Sequence, residues 1–265
     1  MLECRIPQGQ LLKKIFESIK EMVNDINLEC GESGLGVQAM DASQVSLISV
    51  CLLNGAFDHY ECKGQYCLGL NMTQVTKVMK LCGPDDHVII RHNPNTESDR
   101  VTFIFESPGE RKVSSFDLRL MSLHTDSLGI PKMQHEAVIE MSTKSFIKTI
   151  TDLSQFSETL VIDVNQKGIK FSAEGDFGEG STFFQASPPE DTSLVENVSL
   201  TCTADVSCIF SSRYMLYFAK GCMLAERIQL SLSNKQLLKL QLDINNDKYV
   251  GSITYFLAPR FVENE

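Results

Sequence analysis

Gly34-Leu35-Gly36-Val37-Gln38-Ala39 has the G-x-G-x-x-A spacing with which backbone amides at a helix start cradle a dinucleotide pyrophosphate. That chemistry needs the motif to open a helix, and here the chain runs on into Val45-Ser46-Leu47-Ile48-Ser49-Val50-Cys51-Leu52-Leu53, a β-rich run. Asp176-Phe177-Gly178 has the form of the kinase magnesium tripeptide, yet no H-R-D loop precedes it and no V-A-I-K lysine lies on an earlier strand. Asp85-Asp86-His87 with His92 offers the carboxylate and imidazole donors that hold zinc, although an acidic turn leading into a strand accounts for the same residues. His59, His124 and His135 are scattered, with no carboxylate or nucleophile at a spacing that suggests a triad. The nine cysteines are an odd number without a C-x-x-C pair, which argues against a disulfide framework and a zinc site alike. No catalytic residue, metal site or cofactor is therefore expected, and the chain reads as a protein that is not an enzyme.

The elements around these residues must then carry a function other than catalysis. At 265 residues and 43% hydrophobic, the chain can bury two ordinary cores. It has no apolar run near the ~20 residues that span a bilayer, so no membrane partner is expected. Met1-Leu2-Glu3-Cys4-Arg5 lacks the basic segment and apolar core of a secretory signal, which predicts reduced thiols.

The same layout is written twice. Phe16-Glu17-Ser18-Ile19-Lys20 followed by Gly34 to Ala39 has its counterpart in Phe146-Ile147-Lys148-Thr149-Ile150 followed by Gly168 to Ala173. Asn71 through Lys80 is answered by Ser211 through Lys220, and Val88-Ile89-Ile90 by Ile228-Gln229-Leu230. A repeat far longer than the ~20–50 residues of a solenoid unit is a duplicated domain. Apolar spacing predicts helices over 10–22, 71–82, 143–153 and 211–220, with Asn71, Ser142 and Ser211 as caps. Between them lie β-rich runs at 45–53, 87–92, 101–105, 160–164, 228–232 and 238–242. Helices on antiparallel sheets make an α+β fold. The expected division is a first domain over 1–120, a connector without clear periodicity over 121–137, and a second domain over 138–265.

Charge distribution points to a partner. The four helical windows hold Lys13, Lys14, Lys20, Lys77, Lys80, Lys144, Lys148, Arg213 and Lys220 against Glu17, Glu21 and Asp152. Their sum of +6 in a chain of net charge -10 leaves -16 on the rest. Exposed helix faces are commonly charged, but all four lean the same way in an acidic protein. Such a surface attracts phosphates without reading sequence, so weak, non-specific binding of double-stranded DNA is expected. No zinc-finger spacing or basic-zipper heptad is present to read bases, and there is no Trp to stack on them.

Met40-Asp41-Ala42-Ser43-Gln44-Val45-Ser46-Leu47, Leu128-Gly129-Ile130-Pro131 and Tyr255-Phe256-Leu257-Ala258-Pro259 closely resemble the eukaryotic sliding-clamp family of proliferating cell nuclear antigen. The likeness runs from Met1 to about Pro259 and takes in the helix lysines. The resemblance implies a homotrimeric ring with helices lining a central hole for duplex DNA, and a nuclear processivity factor for DNA polymerases. It implies DNA-facing roles for Lys13, Lys14, Lys20, Lys77, Lys80, Lys112, Lys148, Arg213 and Lys220. It also implies a partner-peptide pocket of Met40, Gln44, Val45, Leu47, Leu128, Ile130, Pro131, Leu237, Phe256, Leu257, Ala258 and Pro259. Polymerases, clamp loader, flap endonuclease, DNA ligase and repair factors would dock there. Subunits would join edge to edge, the strand around 112–120 with that around 177–184, involving Phe116, Leu153 and Gly180. One subunit of a heterotrimeric, checkpoint-type clamp is the alternative, and an unrelated enzyme on a duplicated scaffold a third.

The chain also departs from the family. The lysine that takes ubiquitin in relatives falls on Gln166, with Lys167 next to it. Thr151 stands where an inner-face arginine is expected, and His135 and Leu237 replace residues that usually wall the pocket.

Overall fold

Helical apolar spacing and alternating β-runs resolve into one order of elements that occurs twice. The computed structural model describes residues 1–123, 129, 133–188, 197–246 and 248–260. The first copy comprises β1 (Leu2–Ile6), α1 (Gly9–Lys20), β2 (Asp25–Gly31), β3 (Gly34–Met40), β4 (Ser46–Leu53), β5 (His59–Cys62), β6 (Tyr66–Asn71), α2 (Met72–Met79), β7 (His87–His92), β8 (Arg100–Ser107) and β9 (Lys112–Arg119). The second comprises β10 (Ala137–Ser142), α3 (Thr143–Leu153), β11 (Thr159–Asn165), β12 (Gly168–Gly175), β13 (Gly178–Gln185), β14 (Ser199–Cys202), β15 (Val206–Ser211), α4 (Ser212–Cys222), β16 (Arg227–Leu232), β17 (Leu238–Asn246) and β18 (Lys248–Leu257).

Strand neighbours repeat as well. β5-β1-β7-β8 recurs as β14-β10-β16-β17, and β4-β3-β2-β6 as β13-β12-β11-β15. The two pairs that open each copy, β1 with β7 and β10 with β16, are antiparallel, as are β2 with β3 and β11 with β12. This is the α+β arrangement expected, two helices on antiparallel sheets in each copy. The chain divides into two compact units, one of Met1–Ala42, Ile48–Gly129 and Ile244–Ile253, the other of Ser43–Leu47, Ile130–Asp243 and Thr254–Glu265.

Each unit ties its helices down by the same device. The first amide of a helix has no intrahelical partner and must find an acceptor. Gly9 N–H at the start of α1 donates to Asp86 O (3.1 Å), in the turn after α2, and Met72 N–H at the start of α2 donates to Asn24 O (2.7 Å), in the turn after α1. In the other unit Thr143 N–H donates to Glu226 O (2.9 Å), after α4, and Ser212 N–H to Glu158 O (3.0 Å), after α3. Each helix is thus anchored by the turn that ends its neighbour. Asn71 caps α2 as expected, its side chain accepting the Gln74 N–H at 3.1 Å. Ser142 and Ser211 occupy the cap positions but make no capping bond. The Glu226 and Glu158 carbonyls serve only the first amide of those helices, as Asn24 O does for α2, so they do not stand in for the cap.

Aromatic packing joins helix to sheet. Phe16 of α1 meets Phe103 of β8 edge-on at 6.4 Å, and Phe146 of α3 meets Phe171 of β12 at 6.3 Å. Phe218 of α4 stacks on Tyr255 of β18 at 4.6 Å. Phe16, Phe103, Phe146, Phe171 and Phe218 are buried, and each contributes about 1.5–3 kcal/mol by leaving water. Leu11, Met22, Val78 and Ile147, expected in the apolar stripes, are half-buried at their margins.

The glycine motif has a backbone explanation. Gly31 pairs with Gly34 across the β2–β3 hairpin, and Gly34 has φ +140°. A methyl group there would lie 2.0 Å from Leu52 O on β4. Gly168, its counterpart in the β11–β12 hairpin, has φ +155° and would place a methyl 2.1 Å from Phe184 O. Gly34 therefore opens a strand packed against a neighbouring backbone, a place where no phosphate could be cradled.

Candidate nucleic-acid interface and docking cleft

Helix surfaces carry the first candidate site. Ten positions within the four helices are exposed: Lys14, Lys20, Gln74, Lys77, Lys144, Lys148, Thr151, Asp152, Arg213 and Lys220. Seven are basic and one is acidic, so the excess of basic residues read from the sequence lies on the solvent side. Lys80, one residue beyond α2, is exposed and Lys13 is half-buried. Lys14, Lys20, Lys77, Lys80, Lys144 and Lys148 make no ion pair among the described residues, which leaves their charge available to an external anion. Lys112 stands apart from this set, exposed at the start of β9 with Glu110 3.9 Å away. Arg213 differs again: its guanidinium carbon lies 5.3 Å from the Tyr214 ring centroid and 5.8 Å from that of Tyr217. Thr151, where the family pattern has an arginine, is exposed and returns its hydroxyl to Ile147 O at 2.8 Å.

A second candidate lies within the second unit. Val45, Leu257, Ala258 and Pro259 line a cleft of about 700 Å³, and the Ala258 N–H donates to Val45 O at 2.9 Å. Val45 and the segment Leu257 to Pro259, distant in sequence, thus meet. Leu257 is buried, while Ala258 and Pro259 are half-buried. Met40, Gln44, Leu47, Leu237 and Phe256 do not line this cleft. Met40 and Val45 are large apolar side chains left exposed, Gln44 takes a left-handed φ of +58°, Leu47 and Leu237 are half-buried, and Phe256 is buried. Leu128, Ile130 and Pro131 lie outside the described residues. The rest of the cleft was not anticipated: Ser154 to Glu158 after α3, Ser211 to Tyr214 and Leu216 at the start of α4, and Arg260. Their signal in the sequence is weak because polar residues at a helix end read equally well as a plain turn.

Two strand edges form a third candidate. β9 and β13 are each eight residues long and contain no buried residue; exposed and half-exposed side chains alternate along both in one pattern. Phe116, half-exposed on β9, packs against Phe105 at 5.4 Å. Gly180 of β13 lies over the end of α3, where a methyl would come 3.1 Å from Leu153 Cδ2 and 3.3 Å from Phe156. Leu153 is buried within its own unit. Phe177, in the β12–β13 turn, is 71% exposed and stacks on Phe156 at 5.1 Å. The Asp176-Phe177-Gly178 tripeptide is therefore a hairpin turn.

The remaining motif residues face different partners. Asp86 accepts hydrogen bonds from Gly83 N–H (2.8 Å) and the Ser107 hydroxyl. The Ser107 bond, ahead of that from Gly83, holds its carboxyl below the usual aspartate value against the opposing effect of burial. His92 Nδ1 lies 2.7 Å from Arg100 O, within the β7–β8 hairpin. Burial, followed by the charge of Lys239, lowers the pKa of His135. None of the nine cysteines is in a disulfide, and Cys51 and Cys67 are exposed. Burial pushes the Cys4 thiol up to about 12 and the Cys82 thiol to about 11.

A duplicated unit of two helices on antiparallel sheets, with basic side chains on the exposed helix positions, defines the DNA-clamp fold. "Proliferating cell nuclear antigen, N-terminal domain" matches residues 1–128, and the C-terminal domain of the same family matches residues 129–260. Proliferating cell nuclear antigen 1 of Plasmodium falciparum (isolate K1 / Thailand) is 34% identical over 270 residues, an alignment covering 98% of this chain and 97% of that protein. The chain belongs to the proliferating cell nuclear antigen family, the non-enzymatic DNA sliding clamps of replication and repair. Nuclear location and assembly as a homotrimer are typical of that family. Matches to it in both halves do not favour the heterotrimeric, checkpoint-type alternative.

Proposed function

We propose that the chain closes with two copies of itself into a ring around duplex DNA, serves nuclear DNA polymerases as a processivity factor and docks replication and repair proteins. The observation that carries the reading is the predominance of Lys and Arg at exposed helix positions of an acidic chain. Lys13, Lys14, Lys20, Lys77, Lys80, Lys148, Arg213 and Lys220, with Lys112, would face DNA. Phosphate contacts of this kind are sequence-independent and exchange readily, so they permit sliding. Retention would come from closure of the ring.

The edges of β9 and β13 support the assembly, because an exposed strand edge of this length is a template for pairing with another chain. Phe116, Leu153 and Gly180 would lie at or beneath that junction. Clamp loader, polymerases, flap endonuclease and ligase would each present a short peptide to the pocket that includes Val45, Leu257, Ala258 and Pro259. Apolar walls suit the few buried anchors that dominate such binding.

Topology gives the decisive test. Loaded by its clamp loader onto a closed circular duplex, the protein should stay bound through gel filtration, and cutting the circle once should release it. Capping the cut ends with a bulky protein should restore retention. Equal retention on circular and linear DNA would mean binding by affinity rather than by encirclement.

A further inference from the structure

Both exposed thiols of the chain line one groove. Cys51 and Cys67 are the two exposed cysteines of nine, and both wall a hollow of about 510 Å³ on the solvent face of the strands β4-β3-β2-β6. Side chains alternate between the faces of a strand, and Cys51, Gly36, Glu29 and Cys67 each hold an outward position on their own strand. Glu29 stands opposite Gly36 across β2 and β3, and opposite Cys67 across β2 and β6. Gly36 adds no side chain, so the groove stays open between Glu29 and β4. A Cβ at Gly36 would lie 3.9 Å from Glu29 Cβ, Glu29 Oε2 and Val50 O alike. The carboxylate therefore leans over Gly36, towards the strand that carries Cys51.

The second copy fills the same place. With Gly34 and Gly168 as corresponding hairpin glycines, Lys170 is the counterpart of Gly36, Asp163 of Glu29 and Ser207 of Cys67. There Lys170 stands opposite Asp163, and the Ser207 hydroxyl donates to Asp163 Oδ1 at 2.7 Å. In the first copy open space replaces the lysine and a thiol replaces the hydroxyl. Glu29 is the one charged residue lining the groove, and it makes no ion pair among the described residues. Cross-strand pairs of opposite charge stabilise a sheet, so a carboxylate facing this space favours a cation in it. A metal ion does not fit: β4 and β6 are three strand spacings apart, about 14 Å, too far for one ion to bridge both thiols. No group of three or more metal-binding side chains occurs among the described residues.

Thiol and carboxylate together suit a ligand that carries both sulfur and positive charge. We propose that the groove is a modification site, in which Cys51 forms a mixed disulfide with a low-molecular-weight aminothiol whose ammonium group meets Glu29 over Gly36. The reagent is the disulfide of that aminothiol. Cys51 Sγ gives its proton to water and attacks one sulfur of the reagent. A new S–S bond forms as the old one breaks, and the departing half leaves as a thiolate that takes up a proton. Cys51 is oxidised and half of the reagent reduced, and excess small thiol reverses the step.

Cystamine and bis(2-hydroxyethyl) disulfide test this, since they match in length and differ in charge. Peptide mass mapping follows modification of Cys51 in the full-length Cys67→Ser protein, which keeps one exposed thiol in the groove. Dividing each rate by that of Cys51 in the same chain unfolded in urea removes the intrinsic difference between the reagents. At low salt the normalised rate should be roughly two- to fivefold higher for cystamine, as one exposed ion pair supplies. In Glu29→Gln the ratio should fall to one. Gly36→Lys, which reproduces the second copy's lysine, should bring the ratio below one and slow both reagents, with thermal melting as the check on folding. Glu29 is exposed, so Glu29→Gln tests the carboxylate even where Gly36→Lys does not fold. Equal normalised rates in the Cys67→Ser protein, or a cystamine preference that survives in Glu29→Gln or in folded Gly36→Lys, would overturn the proposal.

Discussion

Asp86 joins three elements at once. Its carboxylate accepts from Gly83 N–H after α2 and from Ser107 at the end of β8, while its carbonyl accepts the first amide of α1. The Ser107 bond, with that from Gly83, holds the folded carboxyl below the ordinary aspartate value of 3.8, so the folded state binds the proton less readily than the unfolded chain. The stabilisation is complete above that value and is lost as pH falls through the lower folded one. Asp86→Asn should cost roughly 1.5–3 kcal/mol at pH 7, the worth of hydrogen bonds to a charged group. The gap from the parent protein should shrink below about pH 3.8; urea midpoints at neutral pH and near pH 3 check this, and an equal gap at both would remove the carboxylate from the account. Gly34 gives a second test with a built-in control. Gly34→Ala forces a side chain onto φ +140° and towards Leu52 O, and should cost on the order of 1–3 kcal/mol. Gly31, its hairpin partner, has open space at the same position, so Gly31→Ala should stay within about 0.5 kcal/mol in the same denaturation assay.

At the scale of elements, legibility followed burial. The four helices were readable because their apolar residues return with the helical period, and β4, β7, β8, β11, β16 and β17 because they are strongly β-rich. β5 and β14, four residues each and with no buried residue in either, left no apolar alternation to find. The caps Ser142 and Ser211 read correctly as positions and wrongly as bonds, since where a side chain turns at a helix start is set by its folded surroundings and not by residue type alone. The cleft was half legible for the same reason. Val45 and Leu257 to Pro259 stood out in the family likeness, whereas the turn after α3 joins them only through folding. The open edges of β9 and β13 support the most direct prediction at this scale. Val113 is 67% exposed on one edge and Phe183 52% exposed on the other. Val113→Asp and Phe183→Asp should each raise the dissociation constant of the assembly at least tenfold, roughly the cost of burying an unpaired charge. Monomer melting should move little, because these side chains touch solvent in the single chain. Light scattering across a dilution series would show the mass falling from about 89 kDa, three times 29.6 kDa, towards the monomer. A mass unchanged at every dilution would exclude these edges from the junction.

For the molecule as a whole, little attraction to DNA is needed once the proposed ring has closed. A chain of net charge -10 is repelled by DNA at long range, so in the proposed ring its basic helix faces would act only after loading had brought them close. Strong binding would work against the proposed function, because a clamp that gripped phosphates tightly could not slide. Lys14, Lys20, Lys77, Lys80, Lys144 and Lys148 suit that requirement: long, flexible side chains without ion-pair partners among the described residues, able to exchange one phosphate for the next. Reversing Lys20, Lys77 and Lys148 to Glu changes the charge on the helices by six while leaving both strand edges intact. The variant should keep a trimeric mass and its affinity for partner peptides. Its loading onto DNA and its stimulation of polymerase should fall at least tenfold, with the salt dependence of loading reduced as phosphate contacts are lost. Stimulation equal to that of the parent protein at every salt concentration would mean that the helices carry no DNA contact, and that the gathered lysines serve only solubility.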